Sequence, residues 1–178
     1  MTGYELTLLW IAWLIAGGSP GPATLSIAGT SMNEGRRTGL MFSCGILAGS
    51  AFRGVAAALG MSALMLANAW VFSVLRYAGA AYLLFLAYKS IRSATTPDRA
   101  LIQKGHRGTA AQVFAKGALI HITNPKAILS WGAIYAITVS NDAGPREVFW
   151  MFGFLYSAST IVFIGYAFLF STPGVVRV

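Results

Sequence analysis

The chain has 178 residues, of which 56% are hydrophobic and 10% are charged, and it carries 13 basic and five acidic residues. A soluble domain has about 25% charged residues, so this composition excludes an ordinary soluble enzyme and a disordered chain. The single cysteine, Cys44, excludes a disulfide scaffold. The composition therefore predicts an integral membrane protein whose partner is the lipid bilayer.

Five apolar runs are each long enough to cross a bilayer as a helix, because a hydrocarbon core of about 30 Å needs roughly 20 helical residues. Their approximate bounds are 4–32, 39–62, 70–88, 113–139 and 148–170. We predict an all-α helical bundle of five transmembrane segments, forming one membrane domain over residues 1–178 with a loop at 89–112. No Lys or Arg precedes Arg36, so the first run is predicted to be a span and not a cleaved signal.

The first run is interrupted by Ser19-Pro20-Gly21-Pro22, which we call the first break. Each proline lacks an N–H, which leaves the carbonyls of Ala16 and Gly18 without a helical donor. Such breaks persist in lipid only where protein, water or a ligand satisfies the carbonyls. Pro22 suits the first position of a second half-helix. Two interpretations stay open: a kink needed for packing, or a segment that lines a substrate path.

The fourth run is interrupted by Asn124-Pro125-Lys126, which we call the second break. Asn124 is a good N-cap and Pro125 fits the first helical position. Lys126 then lies near the membrane midplane, where a cation at the positive end of a helix dipole is unfavourable unless an anion binds there. The pattern predicts a site for a substrate carboxylate. The alternative is a lysine that reaches the interface from a short re-entrant segment.

The two breaks open spans one and four, which lie three spans apart and cross in opposite directions. This arrangement is typical of an inverted three-helix repeat with a site at the midplane. We therefore predict that both breaks line one translocation path.

The basic residues are divided unequally between the two sides of a five-span path. Arg146 is on one side, and nine basic residues are on the other: Arg36, Arg37, Lys89, Arg92, Arg99, Lys104, Arg107, Lys116 and Arg177. Because Lys and Arg collect in cytoplasmic loops, the 89–112 loop is predicted to be cytoplasmic and the N-terminus to be outside. No aromatic residue alternates with these bases for stacking, so no nucleic-acid partner is expected.

With these breaks the sequence resembles the LysE/RhtB family of bacterial amino-acid exporters over nearly its whole length. The matching segments are the first break, Gly35-Arg36-Arg37-Thr38-Gly39-Leu40, the glycines 45, 49 and 60, Tyr77-Ala78-Gly79-Ala80-Ala81-Tyr82-Leu83, Lys116-Gly117 and Asn124-Pro125-Lys126-Ala127. The resemblance implies an inner-membrane secondary transporter that exports amino acids or derivatives such as threonine, homoserine, leucine or lysine. It also implies that both breaks line the path, and that transport is coupled to the proton gradient.

Two features depart from the family pattern. Family members have six hydrophobic segments, and the last is not found before residue 178, so a truncated or frameshifted product, or a partner subunit that fills the gap, is expected. The alternative function is then a transport-inactive fragment or assembly component. The second departure is Arg53, midway along span two. It is interpreted either as a second cation facing the path or as a structural arginine bound to carbonyls freed at the first break.

Several expectations concern what the spans lack. Apart from Glu5 at the edge of the first span, no Asp or Glu lies inside a span, which favours neutral amino acids over lysine and arginine as substrates. No nucleophile–base pair or metal cluster has the right spacing, so no enzyme activity, metal or cofactor is expected. His121 is either a hydrogen-bonded residue or a proton-coupling group. The small-residue faces Gly45/Gly49 and Ala56/Gly60 make a homodimer possible.

Overall fold

The computed structural model describes residues 1–67, 108–139 and 143–172, together with residues 70, 74, 77–82, 84, 85, 88 and 92. Side chains are described at these positions except at 61–67, 125, 126 and 128. Of the basic residues in the predicted cytoplasmic segments, Lys89, Arg99, Lys104, Arg107 and Arg177 lie outside the described residues.

The described part of the chain is helical and contains no strand. Five helices have defined ends: α1 (Gly3–Gly18), α2 (Pro22–Ala67), α3 (Ala110–Thr123), α4 (Pro125–Thr138) and α5 (Pro145–Leu169). Capping boxes start α1 at Thr2 and α3 at Thr109, where the side chain at the third helical position reaches back to the cap N–H. The all-α prediction is confirmed for these residues, whereas the number of spans and the inverted repeat remain predictions.

Helix α2 consists of two segments that meet at Gly35, and we call residues 22–34 α2a and residues 36–67 α2b. Gly35 has a φ of 83°, a left-handed conformation that glycine adopts without strain. The chain folds back here, because a Cβ added at Gly39 would collide with the side chain of Ser31. In a straight helix those two residues would be about 12 Å apart. The turn therefore separates the first predicted span from the second.

Contacts along α5 give the relative directions of the helices. Trp10 in α1 donates to Ser157 at 3.0 Å, and Arg36 donates to Ser171 at 3.1 Å, so α1 and α2a run in the same direction as α5. Helix α2b runs in the opposite direction. The Gly35 turn and the end of α5 thus share one end of the bundle, and the N-terminus and the start of α5 share the other.

Helices α2b and α3 pack through glycines. A Cβ at Gly45 or Gly117 would collide with the opposite backbone, and one at Gly49 would lie 2.7 Å from the Ala118 oxygen. The Gly45/Gly49 face that we predicted for dimer packing is therefore occupied within the chain. Ala56 and Gly60 are exposed, and the homodimer remains a prediction.

Large apolar side chains are exposed around the bundle, including Ile15, Phe52, Leu119 and Ile161. Two helical stretches, Pro22–Gly60 and Pro145–Leu169, are long and apolar enough to cross a membrane, and the Gly35 turn divides the first. In the third apolar run the described residues are helical, and Gly79 packs closely against Ala133 of α4. This exterior suits a hydrocarbon environment better than water.

Candidate functional site

The first break has the position expected from its prolines. Helix α1 ends at Gly18 and α2 begins at Pro22. Ser19 is extended, with φ −64° and ψ 143°, as the residue before a proline usually is. The buried hydroxyl of Thr24 accepts a hydrogen bond from the Gly21 N–H at 3.0 Å and so caps the new helix. Thr24 was not among the predicted site residues.

The two carbonyls whose helical donors would have been Pro20 and Pro22 are bound by side-chain hydroxyls. Pro20 cannot donate to Ala16, and the Ser19 hydroxyl donates to that oxygen instead at 2.7 Å. Pro22 cannot donate to Gly18, and the Tyr166 hydroxyl donates to that oxygen at 2.6 Å. One of these donors is local and the other lies on α5, so the first break is held in part by a distant helix.

The second break is shorter than the first. Helix α3 ends at Thr123 and α4 begins at Pro125, so only Asn124 lies between them. The Asn124 N–H donates to the His121 oxygen at 3.2 Å, and the Asn124 oxygen accepts from Ala127 at 3.1 Å. The side chains of Pro125 and Lys126 lie outside the described residues, so the role of Lys126 remains a prediction.

Arg53 lies on the second break. Its side chain is 8% exposed, and Nη1 donates to the His121 oxygen at 2.9 Å and to the Asn124 oxygen at 2.7 Å. The His121 oxygen is the one that Pro125 leaves without a helical donor. The cation also lies at the C-terminal end of α3, where the helix dipole favours positive charge. Our expectation that a structural Arg53 would bind carbonyls of the first break was therefore wrong, because α2b packs against α3.

His121 is buried beside this site. Its side chain is 5% exposed, and Nδ1 has no hydrogen-bond partner among the described residues. The ring packs edge-on against Phe163 of α5, with the two centroids 5.5 Å apart. Both alternatives for His121 therefore stay open.

Further buried hydroxyls lie in the bundle and were not among the predicted site residues. In the described part of the chain they are Thr24, Ser26, Thr30, Ser31, Ser43, Ser50 and Ser159. Their only sequence signal is a small polar residue within an apolar run, which also occurs at ordinary packing positions.

Two open cavities lie on α1 and α5. One, of about 720 Å³, runs beside the first break and includes Ser19, Pro20 and Tyr166 among its lining residues. The other, of about 1180 Å³, lies at the opposite end of these helices and contains Glu5, Arg146 and Glu147. The first break is thus accessible from outside the bundle, whereas Arg53 is enclosed.

Residues 14–177 match the family described as LysE type translocator. The chain belongs to this family. Its members are named as translocators and not as enzymes, and the family together with the apolar helices supports a location in the inner membrane.

Named relatives agree with the family. The chain is 27% identical to a threonine efflux protein of Salmonella typhi over 157 residues, which cover 87% of this chain and 76% of that protein. It is 26% identical to a threonine efflux protein of Escherichia coli K12, with the same coverage. It is 29% identical to the uncharacterized membrane protein YahN of Escherichia coli K12 over 89% of this chain and 71% of that protein. No solved structure matches the chain.

Proposed function

We propose that this translocator is a secondary transporter that exports amino acids or close derivatives across the inner membrane. Threonine, homoserine, leucine and lysine are the kinds of substrate considered. In this proposal the N-terminus is outside and the 89–112 loop is cytoplasmic. The relatives named as threonine efflux proteins support amino-acid export as the reaction.

The observation that carries the proposal is Arg53 on the second break. A guanidinium has five N–H donors, and both bonds to the backbone come from Nη1. The edge formed by Nε and Nη2 is not needed for the break, and it matches the two oxygens of a carboxylate. Helix α4 begins at the same place, so the positive end of its dipole adds to the attraction for an anion.

The substrate path is proposed to include both breaks. Its residues are Ser19, Pro20, Gly21, Pro22, Arg53, Asn124, Pro125 and Lys126. The buried polar residues near the breaks are mainly hydroxyls, with no buried Asp or Glu in the described part of the chain. A substrate ammonium would therefore meet neutral oxygens. This favours neutral amino acids over lysine or arginine.

Amino-acid export from cells loaded with dipeptides tests this function. The wild-type chain is expected to lower the intracellular concentration of the released amino acid, and Arg53→Gln and Lys126→Ala are expected to abolish most of that export. The matched control is Lys116→Ala, a lysine midway along α3, which is expected to export normally at the same membrane level.

Two outcomes would contradict the proposal. A wild-type chain that inserts but exports none of the amino acids tested would favour the transport-inactive component. Export that Arg53→Gln and Lys126→Ala leave unchanged would remove both residues from the path.

A further inference from the structure

Tyr166 makes a hydrogen bond that differs from those of the other tyrosines donating to the backbone. Tyr156, for example, donates to the Leu47 oxygen at 3.1 Å, and that oxygen lies inside α2, where the helix supplies its own N–H donor. Tyr166 donates at 2.6 Å to Gly18, whose helical donor would have been Pro22. The Tyr166 hydroxyl therefore replaces a missing backbone donor.

Arg53 binds the corresponding oxygen at the second break, that of His121, whose helical donor would have been Pro125 and which also accepts from the Asn124 N–H. Each break is bound by a side chain from the other half of the chain. Tyr166, on α5, which comes later in the chain than the second break, binds the first break. Arg53, on the segment that follows the first break, binds the second break.

One turn of α5 contacts the neighbourhood of both breaks. Phe163 packs against His121, and Tyr166 binds Gly18 one turn later. The oxygen of Phe163 also accepts from Ser43 of α2b at 3.0 Å. A movement of this turn would therefore change the surroundings of both breaks at once.

We propose that Tyr166 is a positioning residue for export, whose hydroxyl holds the first break to α5 as Arg53 holds the second break to α2b. A carbonyl without a donor is unfavourable in lipid, so each break can bend only if its donor moves with it. The two breaks are thereby made to bend together. In alternating access one repeat moves against the other around a fixed site, and coupled bending of the two breaks would permit that movement. This inference rests on the proposed export function.

The first experiment compares Tyr166→Phe with Tyr156→Phe, which removes an equivalent hydroxyl from an acceptor that has a helical donor. At equal membrane levels, Tyr166→Phe is expected to lower the maximal export rate about fivefold to tenfold, the effect of one unsatisfied hydrogen-bonding group. The half-saturating substrate concentration should change little, because the hydroxyl positions the break and does not bind substrate. Equal losses in the two variants would overturn the proposal.

A second variant tests whether the Tyr166 hydroxyl holds the first break to α5 or only supplies a donor to the Gly18 oxygen. Pro22→Ala returns an N–H to the Gly18 oxygen, so in the double variant Tyr166→Phe/Pro22→Ala the carbonyl no longer lacks a donor. We expect normal membrane levels but low export, because the break is then held by its own backbone and no longer by α5. Recovery of export would show that the hydroxyl only satisfies the carbonyl, and would overturn the proposal.

Thiol labelling tests the same bond without any transport. Gly18→Cys places a thiol beside the break, where an added Cβ meets no atom within 4 Å, in a Cys44→Ser background that has no other thiol. Tyr166→Phe is expected to increase the labelling rate and Tyr156→Phe to leave it unchanged. Unchanged labelling in both would overturn the positioning role, whereas the expected labelling in a chain that exports nothing would contradict only the proposed function.

Discussion

The two breaks face the same chemical difficulty and meet it with different side chains. At the first break, two prolines leave the Ala16 and Gly18 oxygens without their helical donors, and the hydroxyls of Ser19 and Tyr166 bind these oxygens. At the second, Pro125 leaves the His121 oxygen without its helical donor, and that oxygen accepts from the Asn124 N–H and from Arg53, which also binds the Asn124 oxygen. A neutral donor is thus sufficient at one break, and a cation is used at the other.

This difference bears on why Arg53 is charged. A cation at the centre of a bilayer costs about 2.5–3.5 kcal/mol or more, whereas a tyrosine hydroxyl carries no such penalty. Because Tyr166 satisfies the same kind of carbonyl without charge, satisfying the backbone does not by itself require an arginine. The positive charge exceeds what the backbone needs, and an anionic group of the substrate is the reason that we propose for it.

The largest expected effect comes from Arg53→Leu, which removes two hydrogen bonds and a buried charge at once. It should lower stability by about 3 kcal/mol, since hydrogen bonds from charged donors contribute about 1.5–3 kcal/mol each and part of the penalty for burying the charge is recovered. Thermal unfolding in mild detergent measures it. Tyr166→Phe should lower stability by less, because its donor is neutral.

Measuring the effect of Arg53→Leu on stability in a Pro125→Ala background isolates the hydrogen bond from Arg53 to His121. The restored N–H at position 125 can donate to the His121 oxygen, so Arg53→Leu should then be less destabilising by about 1 kcal/mol. If Arg53→Leu has the same effect in both backgrounds, the bond to His121 contributes nothing, and the proposed contrast between the breaks is wrong.

A smaller effect is expected from Thr24→Val at the first break. Loss of the hydroxyl leaves the Gly21 N–H without its cap, and removal of a helix cap costs about 1 kcal/mol. Thr160→Val is the matched control, because the Thr160 hydroxyl donates within α5, to the Tyr156 oxygen one turn earlier. A melting temperature that falls equally in both variants would assign no special role to Thr24.

The smallest effect lies at the Gly35 turn, away from both breaks. Burial raises the pKa of the Glu34 carboxyl, and the nearby Lys116 opposes part of that shift. A raised folded-state pKa means that the group's contribution to stability is complete below its unfolded pKa and is lost as the pH rises through the folded pKa. Glu34→Gln should therefore be slightly more stable than wild type at neutral pH and equal to it near pH 4, as melting curves at both pH values would show.

The positions of the breaks could be predicted because proline acts locally. A proline removes its own N–H whatever surrounds it, so the helix boundaries at Gly18, Pro22 and Pro125 follow from the sequence. The geometry of the Gly35 turn was harder to predict from the sequence. A gap between two apolar runs predicted a connection there. The sequence did not show that this connection is a single-residue turn, because the turn is that short only where Gly39 packs closely against Ser31.

The donors at the breaks could not be assigned from the sequence. Counting the carbonyls left by each proline shows that donors are required, but not which residues supply them. Tyr166 is one of several aromatic residues in an apolar run, and Arg53 gave no indication of which break it would bind. Their partners depend on the register of α5 and of α2b against the other helices, which is set by packing between residues distant in the sequence.

The Gly35 turn limits how the bundle can deform. Because a single non-helical residue joins α2a to α2b, the two segments have no spare chain with which to slide by a helical turn of about 5.4 Å. Arg36 further ties this end to α5, over the Phe168 ring at 5.2 Å and on the Ser171 hydroxyl. Relative motion is thereby restricted to a swing about this pivot. The widest displacement then falls at the far end of the bundle, where the cavity containing Glu5 and Arg146 already lies open.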